Sequence, residues 1–145
     1  MSEFDPTYRG EWQFRVHHIK SGALSVDTAQ TDGMCRSEAI SASATDARGL
    51  WMGETRIRGG AISGDHHHGE SETGIYVVSG HPVFVFAEGG QERRIETKPG
   101  DYVFVPPYLP HREENPTTEE AVVVLARSTQ EAIVVNLPSL LSGPK

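Results

Sequence analysis

"GDHHHGESETGIYVVSG", Gly64 to Gly80, sets three consecutive histidines and then acids in front of a short apolar stretch. A solvated loop has no physical use for consecutive imidazoles. Clustered rings repel one another when charged and histidine carries no special turn geometry, whereas a metal ion takes the neutral ring. The stretch continues from "RIRGGAISGD", Arg56 to Asp65, in which a strand leaves the turn at Gly59 and Gly60 and runs into the histidines. The two-residue period of a strand then puts His66 and His68 on one side and His67 on the other. The Cβ atoms of that pair would lie about 6 to 7 Å apart, a gap two imidazoles can close on one ion at nitrogen–metal distances of about 2.0 to 2.2 Å.

The segments on either side read as strands. "LWMGETRIR", Leu50 to Arg58, alternates Trp51, Gly53, Thr55 and Ile57 on one face with Met52, Glu54, Arg56 and Arg58 on the other, the pattern of a half-buried strand. "GIYVVSG" and "HPVFVFAE" are β-branched and aromatic, and "GG" then "QERRIETK" follow, so Val83 to Lys98 reads as a hairpin. "KPGD" turns into "YVFVPP", and "EEAVVVLARS" and "EAIVVNL" complete the set. In the first 49 residues "DTAQTDGM" reads as loop and "RSEAISASA" as a short helix. Eight to ten short strands punctuated by 15 Gly and 9 Pro indicate an all-β sandwich or barrel.

Length and charge bound the function. A chain of 145 residues fits one domain with a core of its own. A formal charge of −7 repels phosphate backbones and anionic membrane surfaces, which argues against a nucleic-acid partner. The single Cys35 cannot form an internal disulfide, no apolar run approaches the length of a membrane span, and the N-terminus lacks a basic-then-apolar signal pattern. The expected setting is a reducing cytoplasm, with no membrane partner.

Two histidines bind an ion weakly, so a third ligand is expected from elsewhere in the barrel. His111 stands in "PPYLPHREEN", where Pro106, Pro107 and Pro110 pin the backbone. With that residue the chain resembles the cupins. Gly60, His66 and His68 are spaced like the first half of the first cupin motif, and Gly100, Pro106, Tyr108, His111 and Asn115 like the second. Tyr108 stands where the family usually has glycine. The resemblance covers about Trp51 to Asn136. It implies a double-stranded β-helix, or jelly roll, with residues 50–137 as the barrel, 1–49 as an N-terminal strand and loop extension packed on it, and 138–145 as a tail. It also implies a homodimer, and a divalent metal held by His66, His68, His111 and a glutamate on the next strand. Zinc is favoured, with iron, nickel, manganese or copper as alternatives.

The glutamate is out of step. Counted back from Gly80 the family's position falls on Thr73, while Glu72 satisfies the spacing only when counted forward from His68. Because strand side chains have period two, the slip turns a carboxylate away from the ion. Either three histidines hold the metal with water or substrate completing the site, or a bulge before Gly74 returns Glu72 to it; three histidines are favoured.

"TAQTDGMCRSEAIS", "LWMG", "HHHGESET", "FVPPYLPH" and "ARSTQEAIVVNL" are similar to small actinobacterial cupins and to the cupin portion of fused enzymes that build nitrogen–nitrogen bonds. That resemblance implies rearrangement of an O-acyl hydroxylamine into a hydrazine, although the fused aminoacyl-transferring domain has no counterpart here. The remaining candidates carry plainer roles. Glu72 and Glu113 are candidate acids for proton transfer. His67 reads as solvent-facing or as a donor behind the ligands, and Glu70 as a loop acid. Arg56 and Arg58 read as a solvated strand face or a carboxylate clamp, and Tyr76, Tyr102, Phe104 and Trp51 as cavity lining or core. His17 and His18 lack a matching ligand set, and Cys35 reads as inert. The leading expectation is a metal-dependent enzyme acting on a small molecule, such as a rearrangement catalyst, dioxygenase or isomerase. The alternatives are a metal- or metabolite-binding module without turnover and a metal-free isomerase.

Overall fold

The computed structural model describes residues 16–142. Ten strands are present in these residues: β1 (Met34–Ile40), β2 (Trp51–Ile57), β3 (His66–His67), β4 (Thr73–Ser79), β5 (Val83–Glu88), β6 (Gln91–Glu96), β7 (Tyr102–Val105), β8 (His111–Glu114), β9 (Ala121–Arg127) and β10 (Val135–Asn136). They form two five-stranded sheets, ordered β1-β2-β9-β4-β7 and β10-β3-β8-β5-β6, with every pairing antiparallel. The fold is a single jelly-roll domain, and among the described residues it is all-β but for one short helical turn and two 3₁₀ turns.

Alternation builds the core. Trp51, Gly53, Thr55 and Ile57 of β2 face inward as their period-two pattern requires, as do Ile75 and Val77 of β4 and Ala121 and Val123 of β9. Of these, Ile57, Ile75, Val77, Ala121 and Val123 join Met34, Ala61, Phe84 and Val105 in one apolar cluster. The other face of β5 is also covered, because Leu140, on a 3₁₀ turn at Leu140–Ser142, packs against Val83 and Val85. β5 and β6 form the expected hairpin, closed by Gly89 and Gly90 at φ 62° and 79°, the left-handed pair that a two-residue turn demands.

The structure departs from the sequence reading in three places. Arg36–Ile40, expected to be helical, belongs to β1; the helical turn comes later, at Ala42–Thr45, with the Ser41 hydroxyl accepting from the Ala44 N–H. "EAIVVNL" supplies only the two residues of β10. The run from Arg58 to Asp65 is not a continuous strand, since Ile62 makes only an isolated bridge to Glu114 before β3 begins. Tyr108 adopts φ 62° where glycine would be at ease, and its N–H donates to the Gly69 carbonyl at 2.7 Å. A left-handed residue with a side chain costs roughly 1 to 2 kcal/mol, which the surrounding turn must hold. Among the described residues no helix is long and apolar enough to cross a membrane.

Candidate metal centre

Three imidazoles from distant parts of the chain meet at one end of the second sheet. His66 of β3 lies directly opposite His111 of β8 in the antiparallel register, which brings their ring centroids to 4.6 Å. His68, two residues on, lies 4.8 Å from His66 and 5.0 Å from His111. One ligand atom from each lies within 4.8 Å of the others, a spacing that an ion between them would span.

Backbone carbonyls set the rings' orientation. The Nδ1 atoms of His66, His68 and His111 lie 2.7, 2.7 and 2.9 Å from the carbonyl oxygens of Gly64, Ile133 and Leu109. A carbonyl can only accept, so each Nδ1 carries the proton and each neutral ring is left with its lone pair on Nε2. Burial, reinforced by the neighbouring His111, pushes His68 down to about 4. Burial likewise lowers His111, against the opposing pull of Glu113. Burial thus outweighs the carbonyl bonds, which by themselves favour the protonated ring, and leaves His68 and His111 as neutral nitrogen donors, the form a divalent cation takes.

The other sequence candidates separate into near and far. Glu113 is buried two residues beyond His111 on the same side of β8, and lines a cleft with His68, His111 and Thr73. Thr73 is buried at the start of β4, while Glu72 is exposed, its backbone bonded to Ser128 and its side chain on the opposite side from Thr73. The register shift in β4 falls between Val77 and Ser79 rather than before Gly74, so no bulge returns Glu72 to the cleft. His67 is buried, which corrects the expectation of a solvent-facing ring; its Nδ1 accepts from the Gly69 N–H at 2.9 Å, which leaves Nε2 as the donor of the neutral ring.

Arg56 lies on the outer face in an ion pair with Glu120 at 3.1 Å, and Arg58 is exposed. Tyr76 and Tyr102 meet as a tilted ring pair, centroids 4.8 Å apart, on the outer face of their sheet, with Tyr102 80% and Phe104 60% exposed. Their alternation places Tyr76 and Tyr102 opposite the inward residues and away from the histidine cleft, whereas Phe104 lines a second cavity that His111 also borders. Trp51 is core: its Nε1–H donates to Glu38 at 3.1 Å and the Arg127 guanidinium lies 3.9 Å above its ring. Glu70 and His18 are exposed, His17 does not join the three-histidine group, and Cys35 is an exposed free thiol.

Two cleft residues escaped the sequence reading. Arg36 of β1 and Arg127 at the end of β9 both line the cleft that His68 and His111 line. Parity was the available signal: counting from Ala121, positions 123, 125 and 127 face inward, and Arg127 is the last of them.

A cupin domain family model matches residues 53–127. Comparison with curated protein sequences finds no match. Among solved structures, oxalate decarboxylase from Bacillus subtilis at pH 4.6 is 21% identical at a TM-score of 0.66, over 77% of this chain and 29% of that one. Oxalate decarboxylase from Lactobacillus farciminis, in a formate complex, is 20% identical at 0.65, over 77% of this chain and 33% of its own. Peruvianin-I, a cysteine peptidase from Thevetia peruviana latex, is 16% identical at 0.70, over 92% of this chain and 83% of that one. The chain thus spans about a third of the oxalate decarboxylases it matches, and at these identities the likeness is one of fold.

Proposed function

The chain belongs to the cupin domain family, and from that premise we propose that His66, His68 and His111 hold one divalent metal ion and that the protein is an enzyme acting on a small molecule bound beside it. The observation that carries this reading is the set of three carbonyl-bonded Nδ1 atoms, which leaves three neutral Nε2 donors converging on one point. A donor set of three imidazoles without a carboxylate suits zinc best, with iron, nickel, manganese and copper as alternatives. Three protein ligands leave coordination positions for water or substrate, as in a catalytic rather than a structural site. When bound, the ion would act as a Lewis acid on a substrate atom.

The chain's own residues would do the rest. The carbonyl bonds hold the imidazoles in orientation, and Ile75, Val105 and Leu125 keep the cleft wall dry. Glu113 is the carboxylate placed beside the rings to hold or move a proton. The finer reading is conversion of an O-acyl hydroxylamine into a hydrazine. In that step the amine of the acyl group bonds to the hydroxylamine nitrogen as its N–O bond breaks, and the released carboxylate stays in the product. The step is an isomerisation needing no added oxidant, with Glu113 taking the proton the amine loses. The sequence resemblance supports it. A homodimer in a reducing cytoplasm completes the reading, supported by the unpaired edge of β7 and the free Cys35.

Elemental analysis of protein purified without added metal tests the centre. About one equivalent per chain is expected, largely lost in His111→Ala, because removing one of three nitrogen ligands weakens binding severely. Stoichiometric metal in the variant would remove His111 from the site. Incubation with an O-aminoacyl hydroxylamine, followed by mass spectrometry for an isomeric hydrazine that vanishes on chelation, tests the chemistry.

A further inference from the structure

The cleft beside the three imidazoles carries a second, chemically different feature. Arg36 is buried, facing inward from β1, and its Nη1 donates to the Thr31 hydroxyl at 2.8 Å and the Ala29 carbonyl at 3.4 Å. Arg127 is half-buried at the inward end of β9, stacked on Trp51, with Nε and Nη2 donating to the Thr129 and Gln130 carbonyls at 3.2 and 3.4 Å. Among the described residues neither guanidinium makes an ion pair, although six ion pairs form elsewhere.

Two guanidiniums held together out of water with a single carboxylate, Glu38, acting on one of them carry surplus positive charge, which is unfavourable unless an anion visits them. Glu38, on the same face of β1 as Arg36, offsets part of the Arg127 charge but forms no ion pair with it, since its Oε1 accepts from Trp51 and its Oε2 from Ser43. Glu131 and Glu113 also line the cleft, but Glu131 is exposed at its rim and Glu113 sits on the histidine strand. Every guanidinium bond above goes to a neutral oxygen, so the heads are oriented without being neutralised.

We propose that Arg36 and Arg127 form an anion subsite that holds the carboxylate of a small substrate while the substrate's other end faces His66, His68 and His111. The proposal rests on the reading of those histidines as a substrate-facing centre, and it narrows the substrate to carboxylate-bearing molecules. The guanidinium fork matches a carboxylate through paired N–H donors, which a single lysine could not. Burial, and the Arg36 charge beside it, bring Arg127 down to about 10, consistent with two cations sharing one dry wall.

Calorimetric titration of succinate, its uncharged diamide and inorganic phosphate tests the subsite, with protein in both metal-loaded and chelated form. Succinate should bind both forms, and the diamide should bind at least about tenfold more weakly. Arg36→Gln and Arg127→Gln should each weaken succinate by about tenfold or more with metal content unchanged, and Arg127→Lys, which keeps the charge, should lose less. Should the packing on Trp51 make Arg127→Gln unfold, Arg36→Gln and Arg127→Lys carry the comparison. Unaltered succinate affinity in the folded variants, or no saturable binding in either form, overturns the subsite. Tighter binding of phosphate than of succinate overturns the carboxylate assignment. Protein that carries no metal yet loses succinate affinity on Arg127→Gln overturns the metal reading and leaves the subsite standing.

Discussion

Each of the three imidazoles is oriented by a bond between its own Nδ1 and a backbone carbonyl, so the geometry of the centre is decided one residue at a time. From sequence, His66 and His68 could be placed on one side because strand parity is a local rule, and His111 because the prolines just before it, Pro106, Pro107 and Pro110, leave its backbone little freedom. The same parity rule turned Glu72 outward and Thr73 inward, and the structure has them so. Glu72→Gln should therefore leave metal content unchanged and alter stability by less than about 0.5 kcal/mol, as measured by elemental analysis and thermal melting; loss of metal would mean the carboxylate reaches the ion after all. A second prediction concerns pH. His68 sits at about 4 when folded, against an ordinary value near 6.5. In metal-free protein the unfolded chain thus takes a proton the folded one refuses. The stability from this ring is fully present above about 6.5 and declines as pH falls toward 4, by up to about 3 kcal/mol. His111, lowered by the same burial, adds in the same direction. Denaturant melts of chelated protein at pH 7.5, 6 and 5 should show that decline; a flat profile would mean the rings are open to water.

At the scale of the element, β2 was read residue by residue while β1 was mistaken for helix, and the difference is physical. β2 buries Trp51 and Ile57 among small or polar neighbours, so its alternation shows in hydropathy. β1 puts Arg36, a residue normally exposed, at an inward position, so its alternation is invisible to any pattern that equates inside with apolar. Arg36 and Arg127 escaped for that reason, although both follow strand parity. Gly53 gives a test of how closely these strands approach. A Cβ there would run into the Ser37 carbonyl of β1 and lie 2.7 Å from the Trp51 ring. Gly53→Ala should cost about 1 to 3 kcal/mol through overpacking and lower the melting temperature accordingly. A variant as stable as the parent would show that β1 and β2 can separate at no cost.

Over the whole molecule, the class and the approximate strand number followed from punctuation and alternation, but the sheet order did not, because β9 pairs with β2 and β4 across long stretches of intervening chain. Sheet order also decides which edges stay open. β7 ends one sheet with Tyr102 and Phe104 exposed beside it, a surface suited to self-association. Light scattering on a sizing column should give twice the chain mass, falling to the single-chain mass in Tyr102→Glu/Phe104→Glu; a parent protein already at the single-chain mass would end the dimer reading. The bond from His68 to the Ile133 carbonyl spans 65 residues, and β10, just beyond Ile133, pairs with His66 and His67. During synthesis, then, the histidine strand emerges long before the backbone that orients it. The orientation of the His68 ring therefore waits on a carbonyl made after nine of the ten strands, so the three-imidazole geometry is a late product of folding.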